Sequence, residues 1–344
     1  MQQVFHYNQS FTLESGGVLA EMQLTYHTWG ALNAAGDNVV WICHALTANS
    51  NAAEWWPGMI GSGKVFDTDR YFVVCANILG SCYGSTGPLS INPETGKPWY
   101  RGFALVTIRD MAAAHDLLRQ QLNIKSIALL AGGSMGGYQA LEWAAIQPKR
   151  IRKLFLIATS ARESAWGIAI HTAQRLAIEA DQTWGEESAT AGNKGLKAAR
   201  AIGMLTYRSY EAYAQTQTDP ATDKLDDFKA TSYITYQGDK LIQRFNAYSY
   251  WTLTKSMDTH NLARGRIGLS EVLKGITANT LVIGIESDLL CPLQEQRFLA
   301  KHIPNVTLHT IQSLYGHDGF LVETEQVSVL LFTWLSKQTP KSTA

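Results

Sequence analysis

From Val39 onward, short continuous apolar runs alternate with longer segments in which apolar residues recur at helical spacing. The runs 39–43 (VVWIC), 126–130 (SIALL) and 280–285 (TLVIGI) have strand length and no period-2 polar face, and 306–311 (VTLHTI) is strand-like with polar residues interspersed. Unbroken apolar strands of this kind are buried on both faces, which predicts a mostly parallel sheet covered by helices on both sides. The alternation holds to Thr159 and resumes at Thr280. Between them, Ala165 to about Gly275 offers no convincing strand and is rich in Ala, Gln, Lys and Tyr at helical spacing. The pattern therefore predicts an α/β core formed by 1–164 and 276–344, interrupted by a helical lid over 165–275. The polar tail from Gln338 to Ala344 is expected to fray.

Within the core, the run Ala131-Gly132-Gly133-Ser134-Met135-Gly136-Gly137-Tyr138 falls between the strand 126–130 and a helical segment 138–145. A serine there occupies a sharp strand-to-helix turn, with Gly132 and Gly136 giving the backbone room, which is the pattern of a nucleophile elbow. A hydroxyl is a weak nucleophile until a base takes its proton, and the base needs an acid to orient it. Behind such an elbow the acid and then the histidine follow in chain order. Asp288, just past the strand 280–285, is the candidate acid, with Glu286 as its competitor on the strand end. Three histidines come later. His302 reads as a helix end and His309 lies inside a strand, whereas His317 sits in the loop 314–320 beyond that strand, where catalytic groups of open α/β sheets collect. The oxyanion of an acyl-transfer intermediate needs backbone donors. Met135, directly after the serine, is expected to supply one, and Leu46, in the loop His44-Ala45-Leu46-Thr47 after strand 39–43, the other. His44 is expected to shape that loop.

Composition narrows the partners. The 344 residues are 46% apolar, enough for a substantial core, and 29 basic residues balance 29 acidic ones. No charge footprint for nucleic acid or an anionic membrane results. Cys43, Cys75, Cys82 and Cys291 lack the spacing of a zinc site or a disulfide framework, so a reducing cytoplasm is expected. The N-terminus has no apolar signal core, and the mature chain is expected to start near residue 1.

Further motifs add a family. Asp67-Thr68-Asp69-Arg70-Tyr71-Phe72, Cys82-Tyr83-Gly84-Ser85-Thr86-Gly87-Pro88, Val106-Thr107-Ile108-Arg109-Asp110-Met111 and Tyr236-Gln237-Gly238-Asp239-Lys240, together with the loop at 44–47, the elbow and Tyr315-Gly316-His317-Asp318, stand in one order along the chain. In this it resembles the homoserine O-acetyltransferases of the α/β-hydrolase superfamily over about Tyr26 to Phe320, departing from them in small ways, such as Ser81 and Asn246. The resemblance implies an α/β-hydrolase fold, acetyl-CoA as co-substrate and L-homoserine as acceptor, in methionine synthesis. It implies no metal or resident cofactor, and a homodimer formed through the lid helices. It further implies that Arg175, which shares a helix face with His171, receives the acceptor's carboxylate and that Asp318 receives its ammonium. A succinyl-CoA donor or an L-serine acceptor would be alternatives inside the family. A carboxylesterase or deacetylase using water would be the alternative outside it.

Overall fold

A computed structural model describes residues 1–337, so the tail expected to fray lies outside the described residues. Eight strands form the main sheet: β1 (Gln2–Tyr7), β2 (Met22–Trp29), β3 (Val39–Cys43), β4 (Phe72–Ala76), β5 (Ile127–Gly133), β6 (Lys153–Ile157), β7 (Asn279–Ile285) and β8 (Val306–Ile311). Their spatial order is β1-β2-β4-β3-β5-β6-β7-β8. From β4 to β8 every pairing is parallel, while β1 and β2 are antiparallel additions at one edge. All five positions of β3 are buried. Val39, Trp41 and Cys43 pack into one apolar layer and Val40 and Ile42 into the other, so the unbroken VVWIC run serves two cores at once.

On the first face lie α1 (Ile108–Gln121) and α2 (Met135–Ile146). Helix α1 starts at a capping box in which the Thr107 side chain accepts from the Asp110 amide and Asp110 accepts from the Thr107 amide, which satisfies two donors left over at the helix start. The opposite face is covered by Trp56 and by Val327 and Leu331 of the last described helix, α10 (Thr324–Lys337), while α9 (Leu293–His302) packs on β7 and β8.

Six helices separate β6 from β7: α3 (Ala165–Glu179), α4 (Asn193–Tyr207), α5 (Tyr210–Gln217), α6 (Lys229–Ile242), α7 (Ala247–Asp258) and α8 (Leu269–Lys274). Leu196, Ala199, Leu241, Tyr250 and Leu253 of these helices belong to the same apolar cluster as Trp41 and Leu130 of the sheet. The insertion is thus a continuation of the core. Its far end is tied down as well, because Arg264 pairs with Glu14 and Arg266 with Glu142, and Arg109 bridges both carboxylates.

Candidate active site

Ser134 is the single residue between β5 and α2, and its backbone adopts φ 53°, ψ −128°, a region L-residues rarely enter. The glycines around it exist because other backbone occupies the space of a side chain. A methyl group on Gly136 would overlap the Cys43 carbonyl, and one on Gly132 would overlap the Gly136 carbonyl. Gly136→Ala should therefore lower stability by about 1–3 kcal/mol, as overpacked cores do, since neither colliding group is a side chain that can swing away. Urea unfolding checks this; an unchanged midpoint would contradict the close packing of elbow and β3.

The turn presents the serine hydroxyl to His317. Ser134 Oγ stands 2.8 Å from His317 Nε2, and His317 Nδ1 stands 2.7 Å from Asp288 Oδ2. With Nδ1–H donating to the carboxylate, Nε2 is left as the acceptor of the serine proton. The other carboxylate oxygen of Asp288 accepts from the Leu290 and Cys291 amides at 2.8 Å each, which fixes the acid's orientation. Glu286, the competing acid, is exposed. His302 ends α9 with Nδ1 on the Phe298 carbonyl, and His309 lies within β8.

Burial taken alone lowers the pKa of His317, but the charge and hydrogen bond of Asp288, with Asp318 and Glu163 farther off, reverse this and hold it above the ordinary histidine value. A base works only when neutral. With a raised pKa the protonated, inactive form persists to higher pH, so kcat/KM should fall as pH drops through a value above about 6.5. A pH–rate profile whose acid limb is centred at or below that value would contradict the Asp288 coupling.

Met135 is the first residue of α2, where an N–H has no carbonyl of its own helix to meet. Leu46 lies in the loop after β3, and that loop is braced from within. His44 is fully buried, with Nδ1 on the Ala45 carbonyl at 2.9 Å and Nε2 accepting from the Ile78 amide at 3.3 Å; burial drives its pKa down to about 4, so it stays neutral. Gln139 Nε2 donates to the His44 carbonyl at 3.0 Å and to the Met135 carbonyl at 3.2 Å, joining the loop to the elbow helix.

Ser134, Leu46, His317 and Asp318 line a cavity of about 520 Å³ between the sheet's C-terminal edge and the insertion. Asp318 is paired with Arg208 at 3.0 Å; burial raises its pKa, while Arg208 and Arg200 pull it back down. Arg175 is not among the lining residues. It does share a face with His171, but that face meets α7: His171 Nδ1 and Arg175 Nη2 hold the two oxygens of Asp258 at 2.9 and 2.6 Å. The cation from this part of the insertion that lines the cavity is Arg200 on α4, stacked 5.4 Å over the ring of Tyr207, with its Nε buried and without a partner among the described residues. Sequence reasoning missed Arg200 and Tyr207, although seven residues on one helix is two turns and places both on one face. It also missed Lys240 and Arg244, which line the same cavity.

The profile of the alpha/beta hydrolase fold matches residues 38–324. Among curated proteins, the homoserine O-acetyltransferase of Cyclobacterium marinum is 48% identical over 330 residues, which cover 96% of this chain and 94% of that protein. The homoserine O-acetyltransferase of Trichormus variabilis is 46% identical over 333 residues, 96% of this chain and 92% of that protein. Among solved structures, homoserine O-acetyltransferase from Bacillus anthracis superposes with a TM-score of 0.91 at 26% identity, covering 97% of each chain. Esterase E22 superposes with a TM-score of 0.89 at 24% identity, covering 97% of this chain and 99% of its own, which is a likeness of fold. Near-full-length identity of this order, on an elbow, sheet order and cavity of this kind, places the chain in the homoserine O-acetyltransferase family.

Proposed function

We propose that this protein moves an acetyl group from acetyl-CoA to the side-chain hydroxyl of L-homoserine through an acetyl-Ser134 intermediate. The observation that carries the reading is the lining of one cavity by Ser134 and His317 together with charges of both signs, among them Arg200 and Asp318. A zwitterionic amino acid needs such a pair. In the first half-reaction His317 takes the Ser134 proton, Ser134 Oγ attacks the thioester carbonyl, and the oxyanion is received by the amides of Met135 and Leu46. The C–S bond breaks and coenzyme A leaves as the thiol with the proton from His317. In the second, His317 takes the proton of the homoserine hydroxyl, whose oxygen attacks the serine ester, and Ser134 is released with that proton. Asp288 holds the ring throughout. The carboxylate partner assigned to Arg175 belongs in this reading to Arg200, since Arg200 lines the cavity and Arg175 does not; Asp318, which lines it while paired with Arg208, keeps the ammonium. No metal or resident cofactor takes part in these steps. The unpaired thiols of Cys43, Cys75, Cys82 and Cys291 fit a reducing cytoplasm.

Water is the competing acceptor, because esterases share the fold. One experiment separates the readings: intact-mass measurement after mixing with acetyl-CoA or succinyl-CoA, followed by homoserine, serine or buffer alone. An acetyl adduct discharged by homoserine and slowly by buffer is expected. A succinyl adduct, discharge by serine, or equal discharge by buffer would each replace the proposal with the corresponding alternative.

A further inference from the structure

The loop that carries Leu46 is held at both ends, and the two holds come from different parts of the molecule. At one end the core residue Gln139 grips the His44 carbonyl. At the other, Arg244, in the link between α6 and α7, donates from Nη1 to the Thr47 carbonyl at 2.5 Å and to the Tyr83 hydroxyl at 2.6 Å. Thr47 directly follows Leu46. Arg244 is itself fixed from behind: Cys82 Sγ donates to its carbonyl at 3.6 Å, and the neighbouring Phe245 ring meets the Tyr83 ring edge-on with centroids 5.7 Å apart. Asn77 completes the brace, donating to the Tyr83 carbonyl at 2.6 Å and accepting from the Ser50 amide at 2.7 Å. The Ala45 carbonyl, which shares a peptide plane with the Leu46 amide, is held by His44 Nδ1 at 2.9 Å and by the Ala48 amide at 3.1 Å, so Arg244 acts on that plane through the turn 45–48 whose Thr47 carbonyl it holds.

Granting the acyl-Ser134 chemistry proposed above, we infer that Arg244 is a positioning residue for the oxyanion hole: by clamping the Thr47 carbonyl, the helical insertion braces the turn 45–48 that holds the Leu46 amide in place. Oxyanion stabilisation depends on donors already aimed at the developing charge. A charge-assisted hydrogen bond is the strong kind, and here it restrains the loop from outside the reacting atoms. The same guanidinium lines the cavity near Lys240, so anchoring of the donor's phosphates is the rival role, and the two roles make different predictions.

The test uses two donors, acetyl-CoA and the phosphate-free ester p-nitrophenyl acetate, and follows the pre-steady-state burst of the full-length protein. Removal of an oxyanion donor outright costs roughly a hundred- to a thousandfold in such reactions, so release of one end of the loop in Arg244→Ala should slow acylation by about ten- to a hundredfold with both donors. The effect should fall on the burst rate rather than on the apparent KM. Added guanidine or methylguanidine should restore a good part of it. Arg244 is exposed, so the unfolding midpoint should stay near that of the wild type; should it drop, Arg244→Met, which keeps the aliphatic stem, carries the same measurement. Slowing with acetyl-CoA alone, confined to KM, would assign Arg244 to the phosphates and overturn the positioning role. An unchanged burst with both donors would overturn it as well. A wild type with no burst from either donor would instead remove the acyl-serine intermediate, and the positioning role with it.

Discussion

Ser134→Ala should abolish the acyl adduct and lower turnover by about four orders of magnitude or more, the usual cost of losing a nucleophile whose partners act only through it. The fold should survive. The hydroxyl makes one hydrogen bond, to His317, and alanine at φ 53° meets the same steric conditions as serine. Intact-mass measurement after mixing with acetyl-CoA reads the adduct, and circular dichroism reads the fold. An adduct that still forms on the alanine variant would falsify the assignment of Ser134.

The second large effect concerns the acceptor. Arg200→Ala or Asp318→Asn should impair the second half-reaction far more than the first, because during acylation neither charge holds a substrate and Asp318 acts only through its part in raising the His317 pKa. Hydrogen bonds to charged groups contribute about 1.5–3 kcal/mol each, which corresponds to roughly ten- to two-hundredfold in the use of homoserine. With the acceptor poorly held, water gains its share of the acyl-enzyme, so the ratio of acetate to acetylhomoserine should rise. Arg175→Ala serves as the contrast. It breaks the pair with Asp258 and should show in thermal stability before it shows in that ratio. If Arg175→Ala raised the acetate share and Arg200→Ala left it alone, the carboxylate would have to be returned to Arg175.

How far the sequence could be read depended on whether a residue's partner is local. Ser134, Asp288 and His317 were legible because each sits in a loop just past a strand, and chain order sorted the histidines. Asp288 over Glu286 was a matter of direction: the strand end points Glu286 to solvent and turns Asp288 inward, where two amides receive it. The antiparallel strand β2 went unread although Met22, Leu24 and Tyr26 stand at every second position and are buried; Thr25 between them is buried as well, so the strand has neither a clean polar face nor the unbroken apolar run of the parallel core. Arg175 could be read only as far as its own helix. Spacing correctly placed it with His171 on one face, but no spacing within α3 can say that Asp258, 83 residues away, stands opposite that face. At Asn246, one of the small departures from the family pattern, the side-chain oxygen accepts from the Ser249 amide and caps α7, a role that Asp could fill equally.

The apolar cluster shared by the sheet and the insertion bears on modularity. A lid that merely rests on an enzyme can be exchanged for another to change what the enzyme accepts. Here Leu196, Leu241, Tyr250 and Leu253 fill the same interior as Trp41 and Leu130, so excising 165–274 would open a hydrophobic wound across the sheet. A chimera would therefore have to import matching interior side chains along with the new specificity residues. Acceptor choice in this protein is accordingly written into its foldability, and single substitutions at the cavity wall offer a safer route to altering it than segment exchange.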